Sequence, residues 1–433
     1  MTERHTANAL MRSILMVSAL SLLAAPLSAA AQCDPPRCRD VVVPLPKKDG
    51  LDLTPALMSG NPSLPTQASP TLSLVSTSLV IPYQQAATSV AQLQPLGADR
   101  AFKAFYASSY NRVVSRIPRV WGYVYKRAER VPVRGFRQGF RVRFNYWNCR
   151  DYEHAAAALK PDVILCTQFL PAEVFAYLRE RGRIRVPVTC AITDFSVHPI
   201  WVCRGVDRYF VASQSVAEEL AGWGEVPPER IEVTGVPIDP RFATFVGQAA
   251  ARRELGLDPD PSRLTLLVMG GGFGWGPIEG MVEVVLGLPA SVQALVVAGR
   301  NDDLRERLRA LVAGREDRIQ VHGYTDRVEL FLEASDVLVC KAGGLTSSEA
   351  MARGVPMVVF RPIPGQEERN CDYLQESGAA HRVHDLDELQ VRLRRFLLDA
   401  DHLASMKAAA VRIGRPQSAF RVAESLIRVA RPD

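Results

Sequence analysis

Glycines, hydroxyls, carboxylates and an amide follow short apolar runs in one stretch of the sequence, residues 336–370. Gly343 and Gly344 stand between an apolar run, 336–340, and a segment that reads as the start of a helix. Such a pair leaves backbone N–H groups pointing outward at the positive end of the helix dipole, which favours a phosphate or diphosphate ligand. Alone, a Gly-Gly pair before a helix is often only a tight turn.

Side chains around the glycine pair suit the other parts of a nucleotide sugar. We expect Thr346 or Ser347 to cap the helix and to reach a phosphate oxygen. Glu349 lies about one turn into the helix, where its carboxylate can accept hydrogen bonds from two ribose hydroxyls. Gln366 and Glu367 are expected on a loop at the carboxyl end of the next strand, where ligands bind in open α/β sheets. An amide and a carboxylate there suit the hydroxyls of a sugar.

The runs KAGGLTSSEA, residues 341–350, and PIPGQEERN, residues 362–370, carry a family resemblance. Together they resemble the donor-binding signature of glycosyltransferase family 28, which includes the peptidoglycan lipid-linked N-acetylglucosamine transferase, the plant monogalactosyldiacylglycerol synthases and the bacterial diacylglycerol glucosyltransferases. They look most like the diacylglycerol branch. The resemblance covers roughly residues 101–390. The donor site that it implies comprises Gly271, Gly272, Gly274, Gly323, Tyr324, Gly343, Gly344, Leu345, Thr346, Glu349, Gln366, Glu367 and Asn370.

Two further loops match this family. Residues 270–276 form a glycine-rich loop directly after an apolar run, which suits a phosphate cradle or a close approach to the sugar, although a structural turn is an equal alternative without the resemblance. The loop is not a strict dinucleotide fingerprint. Gly323 and Tyr324 match the family's segment beside the nucleotide base, where backbone groups are expected to hydrogen-bond uracil and a side chain to stack on it. The alternative there is an ordinary turn.

Candidate catalytic groups follow another apolar run, residues 186–192. Asp194 or His198 could act as a general base or orient the acceptor hydroxyl, but a capping aspartate and a packed histidine are an equal alternative. The implied reaction is attack by a hydroxyl on the anomeric carbon of a UDP-sugar. The helix dipole and backbone N–H groups would neutralise the departing diphosphate, so the resemblance implies no metal ion and no cofactor beyond the UDP-sugar co-substrate.

Alternating strand and helix patterns must position these residues. The 433 residues exceed one ordinary core, so two domains are expected. Parallel strands are predicted at 161–166, 186–192, 207–212, 230–238, 264–269, 292–298, 319–321, 336–340 and 355–360. The resemblance implies an α/β fold of GT-B type, with two Rossmann-like domains facing across a cleft. We assign residues 101–240 to the acceptor domain, 241–400 to the donor domain and 401–433 to C-terminal helices.

Positive charge and aromatic residues are concentrated between residues 101 and 150. This segment holds twelve Lys or Arg and twelve aromatic residues against one acid, Glu129, although the whole chain carries only +6. A basic, aromatic surface suits an anionic membrane interface. Nucleic acid would accept the same charge, but no nucleic-acid motif accompanies it, so no nucleic-acid partner is expected. A solvated basic face is the remaining alternative.

The eight cysteines show neither a CxxC pair nor metal-ligand spacing. Several lie in apolar runs, as buried free thiols do, and nothing in their pattern requires an oxidising compartment. No apolar run of transmembrane length occurs in the sequence.

Residues 1–100 allow two interpretations. Residues 11–31 have the form of a secretory signal, and residues 33–96 form a Pro-, Ser- and Thr-rich segment that is expected to be loosely structured. Alternatively, the run that ends at Ser18 and Ala19 is the family's first strand, missing or degenerate beyond that point because the Gly-x-Gly-His loop that follows it in the family is absent. We favour this damaged first βα unit because nucleotide-sugar donors are cytosolic. The absent loop holds the family's reacting-centre histidine, so catalytic competence is in doubt while donor binding should survive.

The combined prediction is a membrane-associated hexosyltransferase of glycolipid biosynthesis. It would move glucose or galactose from UDP-glucose or UDP-galactose to diacylglycerol, as a peripheral protein at the cytoplasmic face of the membrane; export is the minority alternative. A same-class alternative is transfer to a polyprenyl-linked peptidoglycan precursor. A different-class alternative is a degenerate, non-catalytic UDP-sugar-binding protein.

Overall fold

The computed structural model describes residues 71–75, 90–92, 136–271 and 276–430. The signal-like segment 11–31 and the alternative first βα unit lie outside the described residues, as do Gly272, Gly274 and most of the basic segment 101–150. Two described strands lie within the segment 33–96, which was predicted to be loosely structured. The first has the sequence TLSLV, whose alternation of apolar and polar residues is typical of a strand.

The elements follow one another in a mostly alternating order. The strands are β1 Thr71–Val75, β2 Val90–Gln92, β3 Pro161–Cys166, β4 Val188–Ala191, β5 Arg208–Val211, β6 Ile231–Val233, β7 Leu264–Met269, β8 Val292–Val297, β9 Ile319–His322, β10 Val337–Cys340, β11 Met357–Phe360 and β12 Ala380–Val383. The helices are α1 Phe136–Asn148, α2 Asp151–Leu159, α3 Phe169–Glu180, α4 Gln214–Gly222, α5 Gln248–Glu254, α6 Ile278–Leu286, α7 Asp302–Leu311, α8 Val328–Ala334, α9 Gly344–Ala352, α10 Gln366–Glu376, α11 Leu386–Leu398, α12 Ala400–Ile413 and α13 Ser418–Ala430.

The first compact unit contains the described residues up to Pro237 together with those from Ala419 onward. Its strands pair in parallel in the order β2-β1-β3-β4-β5-β6. Strand β4 is buried along its whole length, as expected for a parallel sheet that is covered on both faces. Helix α13 contributes Val422 and Leu426 to the core formed with Leu165 of β3.

The second unit, Ile238–Ser418, has a parallel sheet in the order β12-β11-β10-β7-β8-β9. A separate apolar core lies on each face of this sheet. In this unit the predicted strands are present with ends that differ by about two residues at most, whereas β12 was not predicted. Its sequence AHRV is short and carries two polar residues, so it gives no apolar run. In the first unit, the strand predicted at 230–238 already ends at Val233.

Asp336 joins several elements of the second unit. Its carboxylate accepts hydrogen bonds from Arg252 of α5 at 2.7 Å and from the backbone N–H of Thr265 at 2.7 Å. Lys407 of α12 lies 2.6 Å from the same group. This contact explains why α12 belongs to the second unit, whereas residues 401–433 were assigned to a separate C-terminal segment.

The six described cysteines are Cys149, Cys166, Cys190, Cys203, Cys340 and Cys371, and all are buried and free. The prediction of buried free thiols is therefore confirmed for them, while Cys33 and Cys38 lie outside the described residues. Within the described ranges, no helix combines the length and the apolar character that a membrane span requires.

Candidate donor-binding site

The carboxyl edge of the second sheet gathers the described donor-site candidates. Strands β7 to β11 are neighbours and run parallel, so their carboxyl ends meet at one edge. In an open α/β sheet this is the edge at which ligands bind. The segments that follow these strands carry the candidates Gly271, Gly323, Tyr324, Gly343, Gly344, Leu345, Thr346, Glu349, Gln366, Glu367 and Asn370.

Helix α9 starts directly behind the glycine pair. Gly343 is its N-cap residue, with extended backbone, and no side chain of the described residues caps the helix. The prediction that Thr346 or Ser347 caps it is wrong because the helix already begins at Gly344, which places both hydroxyls inside it. The hydroxyl of Ser347 is buried and has no hydrogen-bond partner among the described residues.

The space in front of this helix is open to a ligand. A Cβ atom built on Gly343 would meet no atom within 4 Å. The first-turn N–H groups of a helix have no partner within the helix, so here they are available to an anion. Asn370 is fully buried and donates from Nδ2 to the carbonyl of Ala342 at 3.0 Å, which fixes the backbone just before Gly343.

Gln366 and Glu367 begin a helix, which corrects the prediction that they lie on a loop. Gly365 precedes them with φ of 103°, a conformation that suits glycine and turns the chain directly into α10. The carboxylate of Glu367 accepts a hydrogen bond from the backbone N–H of Ile363 at 2.9 Å. Both side chains therefore start from a helical backbone near the carboxyl end of β11.

Lys341 is a candidate that the sequence analysis missed. Burial raises the pKa of Glu367, while the charge of Lys341 and the Ile363 N–H oppose this shift. Lys341 follows β10 directly and precedes the glycine pair, so a cation and a carboxylate interact beside the start of α9. In the sequence, this pair is marked only by a lysine two residues before Gly343. A lysine at that position does not by itself predict a partner or a ligand.

Glu349 lies in a partly buried group of acidic residues. Burial and, to a smaller extent, the nearby carboxylates of Asp239 and Glu329 raise its pKa to about 7, while the charge of Arg241 opposes this shift. Arg241 lies 3.1 Å from Asp239 and 3.6 Å from Glu329. Burial and neighbouring charges account for the raised pKa of Glu349, and no hydrogen bond to a described residue is among its causes. Glu349 is thus a carboxyl that titrates near neutral pH and has hydrogen-bonding capacity for a ligand.

Arg353 holds the segment that carries two of these charges. It follows the last residue of α9 and donates to the carbonyl of Arg241 at 2.8 Å and to that of Thr244 at 2.7 Å. Its guanidinium also lies 3.2 Å from Glu333 and 4.6 Å from the ring centroid of Phe245. These contacts keep the short 3-10 helix Pro240–Ala243 beside α9.

The remaining candidates of this edge are glycines and an exposed tyrosine. Gly271 has φ of 74° and is the last described residue before the gap that contains Gly272 and Gly274. Tyr324 follows β9 with 60% of its surface exposed. The guanidinium carbon of Arg300 lies 4.6 Å from the centroid of its ring. The sequence analysis did not predict a role for Arg300. It follows β8, whereas Tyr324 follows β9, and only the pairing of these strands brings the two residues together.

Asp194 and His198 lie in the first unit and are both buried after β4. His198 accepts a hydrogen bond at Nδ1 from the backbone N–H of Ile200 at 3.2 Å, and so caps the short 3-10 helix Pro199–Trp201. This contact fixes the orientation of the imidazole. The catalytic roles of Asp194 and His198 stay predictions.

Metal ligands are not grouped in the described part of the chain. No set of three or more His, Cys, Asp or Glu residues there is arranged to hold a metal ion. The candidate phosphate-binding groups described above are backbone N–H groups at the start of α9.

Comparison with known proteins decides the family. The monogalactosyldiacylglycerol (MGDG) synthase model matches residues 88–238, and the model of group 1 glycosyl transferases matches residues 266–412. The chain is 32% identical over 268 residues to the processive diacylglycerol beta-glucosyltransferase of Bacillus mycoides (strain KBAB4), covering 62% of this chain and 68% of that protein. This chain belongs to the diacylglycerol glycosyltransferase family. The predicted family membership is therefore confirmed.

A second family member gives a similar result. The processive diacylglycerol beta-glucosyltransferase of Bacillus subtilis (strain 168) is 35% identical over 250 residues, which are 57% of this chain. The match spans 64% of the length of that relative, slightly less than two thirds.

Solved structures support the fold of this diacylglycerol glycosyltransferase family member. The S. aureus MnaA-UDP co-structure matches with a TM-score of 0.53 at 14% identity, covering 83% of this chain and 96% of that one. The UDP-GlcNAc 2-epimerase from Neisseria meningitidis bound to UDP-GlcNAc matches with a TM-score of 0.53 at 12% identity, covering 83% and 99%. At such identities the likeness concerns the fold alone. The predicted α/β fold of GT-B type, with two parallel-sheet units, is confirmed.

The pKa of Glu349 leads to a prediction on the pH dependence of UDP binding. Glu349 is protonated below about pH 7 and is a carboxylate above it. Because a carboxylate accepts stronger hydrogen bonds from ribose hydroxyls than a neutral carboxyl does, UDP affinity should rise roughly fivefold to tenfold from about pH 6 to pH 8. Isothermal titration calorimetry of UDP at several pH values measures this rise.

Two variants separate the contribution of Glu349 from the titration of UDP itself. Glu349→Gln should lose most of the pH dependence, whereas Glu283→Gln, at an exposed position of α6, should keep the wild-type slope. Equal slopes for the wild type and for Glu349→Gln would show that Glu349 does not contact the ribose.

Proposed function

We propose that this protein transfers a hexose, glucose or galactose, from a UDP-sugar to diacylglycerol in glycolipid biosynthesis. The observation that carries the proposal is the similarity to processive diacylglycerol beta-glucosyltransferases, which extends over most of the length of those proteins. The position of the candidate donor-binding residues at one edge of the second sheet supports the proposal independently of this similarity.

The donor would lie along the carboxyl edge of the second sheet. The diphosphate binds at the start of α9, where Gly343 and Gly344 present backbone N–H groups and the helix dipole. Lys341, beside this position, adds a positive charge. Glu349 binds the ribose, and the segment at Tyr324 binds the uracil.

Gln366 and Glu367 would bind the sugar hydroxyls from the first turn of α10. The Ile363 N–H fixes the Glu367 carboxylate, so little side-chain freedom is lost when the sugar binds. The names of the relatives point to glucose, and the name of the matching family model points to galactose. We therefore propose both UDP-glucose and UDP-galactose as donors to be compared.

The reaction follows from these contacts. The diacylglycerol hydroxyl attacks the anomeric carbon, the new C–O bond forms, and the bond to the diphosphate breaks with its electron pair going to UDP. Backbone N–H groups and the dipole of α9 stabilise the negative charge that develops on the diphosphate. Asp194 or His198 takes the hydroxyl proton or orients the hydroxyl. No step requires a metal ion or a further cofactor.

We also propose a peripheral position on an anionic membrane, at the cytoplasmic face. Helix α1 supports this because it exposes Phe140 (67%) and Trp147 (64%), with Arg143 on the same face. The opposite side of α1 is fixed, since Arg141 and Asn145 both bind the buried carboxylate of Glu173 on α3. The helix is therefore bound on one side and exposes its aromatic residues on the other. The buried free thiols of the described residues suit a reducing compartment.

Transfer activity is the direct test. The purified full chain should convert diacylglycerol in vesicles to labelled glycolipid with labelled UDP-glucose or UDP-galactose. Glu367→Gln should lower kcat/KM by about tenfold to a hundredfold, because a charge-assisted hydrogen bond to the sugar is lost. Glu376→Gln, at the exposed end of the same helix, is the matched control and should stay within about twofold of the wild type.

The possible results of this assay discriminate between the alternatives. Absence of labelled lipid with both donors contradicts the transferase proposal. If UDP still binds under those conditions, the non-catalytic UDP-sugar-binding alternative is supported instead.

Membrane binding gives a separate prediction. Phe140→Ala and Trp147→Ala should each weaken binding to phosphatidylglycerol-containing vesicles by about tenfold, because each removes a large apolar side chain from the interface. Leu398→Ala is the control, since Leu398 is 88% exposed on α11 of the other unit. Vesicle co-sedimentation measures the binding. Wild-type binding by both aromatic variants would contradict the proposal for α1.

A further inference from the structure

Two neighbouring loops of the second sheet bring an arginine onto a tyrosine. Arg300 follows β8 and Tyr324 follows β9, and these strands pair in parallel with Val297 opposite His322. The guanidinium carbon of Arg300 lies 4.6 Å from the centroid of the Tyr324 ring, within the range of a cation–π contact. The contact thus lies at the same edge as the proposed donor site.

The backbone on both sides of Arg300 is constrained. Gly299 has φ of 67°, a left-handed conformation that favours glycine. Asn301 accepts a hydrogen bond from the N–H of Leu304 at 3.0 Å and so caps α7. Because the residues before and after Arg300 are constrained, its backbone position is defined, and its side chain extends from there to the tyrosine.

The loop of Tyr324 is also closely packed at its base. A Cβ atom on Gly323 would lie 3.0 Å from Nη1 of Arg305 and 3.8 Å from the carbonyl oxygen of Gly299. Arg305 itself pairs with Asp302 at 3.1 Å, so its charge is already balanced by an acidic partner. The two loops therefore touch through their backbones, and Arg300 adds the contact with the aromatic ring.

The ring of Tyr324 is nevertheless 60% exposed. An exposed aromatic side chain without such a contact would populate several rotamers, and a ligand that stacks on it would lose that freedom on binding. A guanidinium on one face of the ring restricts these rotamers and leaves the ring available to a planar ligand on its exposed surface. Aromatic side chains stack on nucleobases in this way in many proteins.

We propose that Arg300 is a positioning residue, which holds the Tyr324 ring in the orientation that stacks on the uracil of the donor. This inference rests on the proposed function, because it assigns a role in binding the nucleobase of a UDP-sugar. In this assignment Arg300 acts through Tyr324 and not through the charge of the diphosphate.

A double-mutant cycle tests the proposal. Affinities for UDP and for inorganic pyrophosphate are measured by calorimetry for the wild type, Arg300→Ala, Tyr324→Ala and the double variant. Arg300→Ala should weaken UDP binding about threefold to tenfold and leave pyrophosphate binding unchanged, since only the base contact is affected. The double variant should bind UDP no more weakly than Tyr324→Ala.

Control variants exclude a general loss of structure or charge. Arg300→Lys should retain part of the UDP affinity, because an ammonium group keeps the cation–π attraction but lacks the planar stacking surface. Arg307→Ala removes another exposed arginine, on α7, and should not change UDP affinity. The melting temperature of Arg300→Ala should stay within about 2 °C of the wild type, since Arg300 is exposed.

Three results would overturn the inference. Unchanged UDP affinity in Arg300→Ala would show that the contact does not matter for binding. An equal further loss in the Tyr324→Ala background would show that Arg300 contacts the ligand directly, and a parallel loss of pyrophosphate affinity would show a charge effect. If the wild type bound no UDP, the proposed function would fail as well, so the two failures are distinguishable.

Discussion

The buried carboxylate of Asp336 is the constraint on which the second unit depends. It accepts hydrogen bonds from Arg252 and the backbone of Thr265, and it pairs with Lys407, so three separate elements meet at one anion. A buried ion pair that loses one partner is strongly destabilised, because the remaining charge is left without compensation. Asp336 immediately precedes β10, and β10 leads to the glycine pair at Gly343. The contact that stabilises the unit therefore also helps to position α9, the helix that we propose to bind the diphosphate.

A second set of charges acts at the other end of α9. Arg353 fixes the segment of Asp239 and Arg241 next to that helix, and the acidic neighbours that this brings together raise the pKa of Glu349 after burial has already raised it. Arg353 thus holds the C-terminal end of α9, while Asn370 holds the backbone just before its N-terminal end. What distinguishes Glu349 from these structural charges is that its own carboxylate is left for a ligand. Stability and the proposed donor binding thus depend on the same helix but on different side chains.

The sequence predicted what depends on local pattern and missed what depends on contacts across strands. Strands β3 and β7 were predicted with correct ends because continuous apolar runs mark them, whereas the short polar β12 was missed. The family signature located the donor candidates. It did not indicate that glycines at positions 343 and 365 start the helices, so the caps and the place of Gln366 were wrong. Lys341 and Arg300 became candidates only through their contacts with Glu367 and Tyr324, which follow other strands.

We propose that the carboxyl edge of the second sheet binds UDP. Hydrogen–deuterium exchange of the full chain, with and without saturating UDP, tests it most directly because backbone N–H groups are the proposed diphosphate ligands. We expect slower exchange in residues 343–346 and 323–325, with no change in the loop 192–198 of the first unit. Unchanged exchange in residues 343–346 under conditions where calorimetry shows UDP to be bound would contradict it.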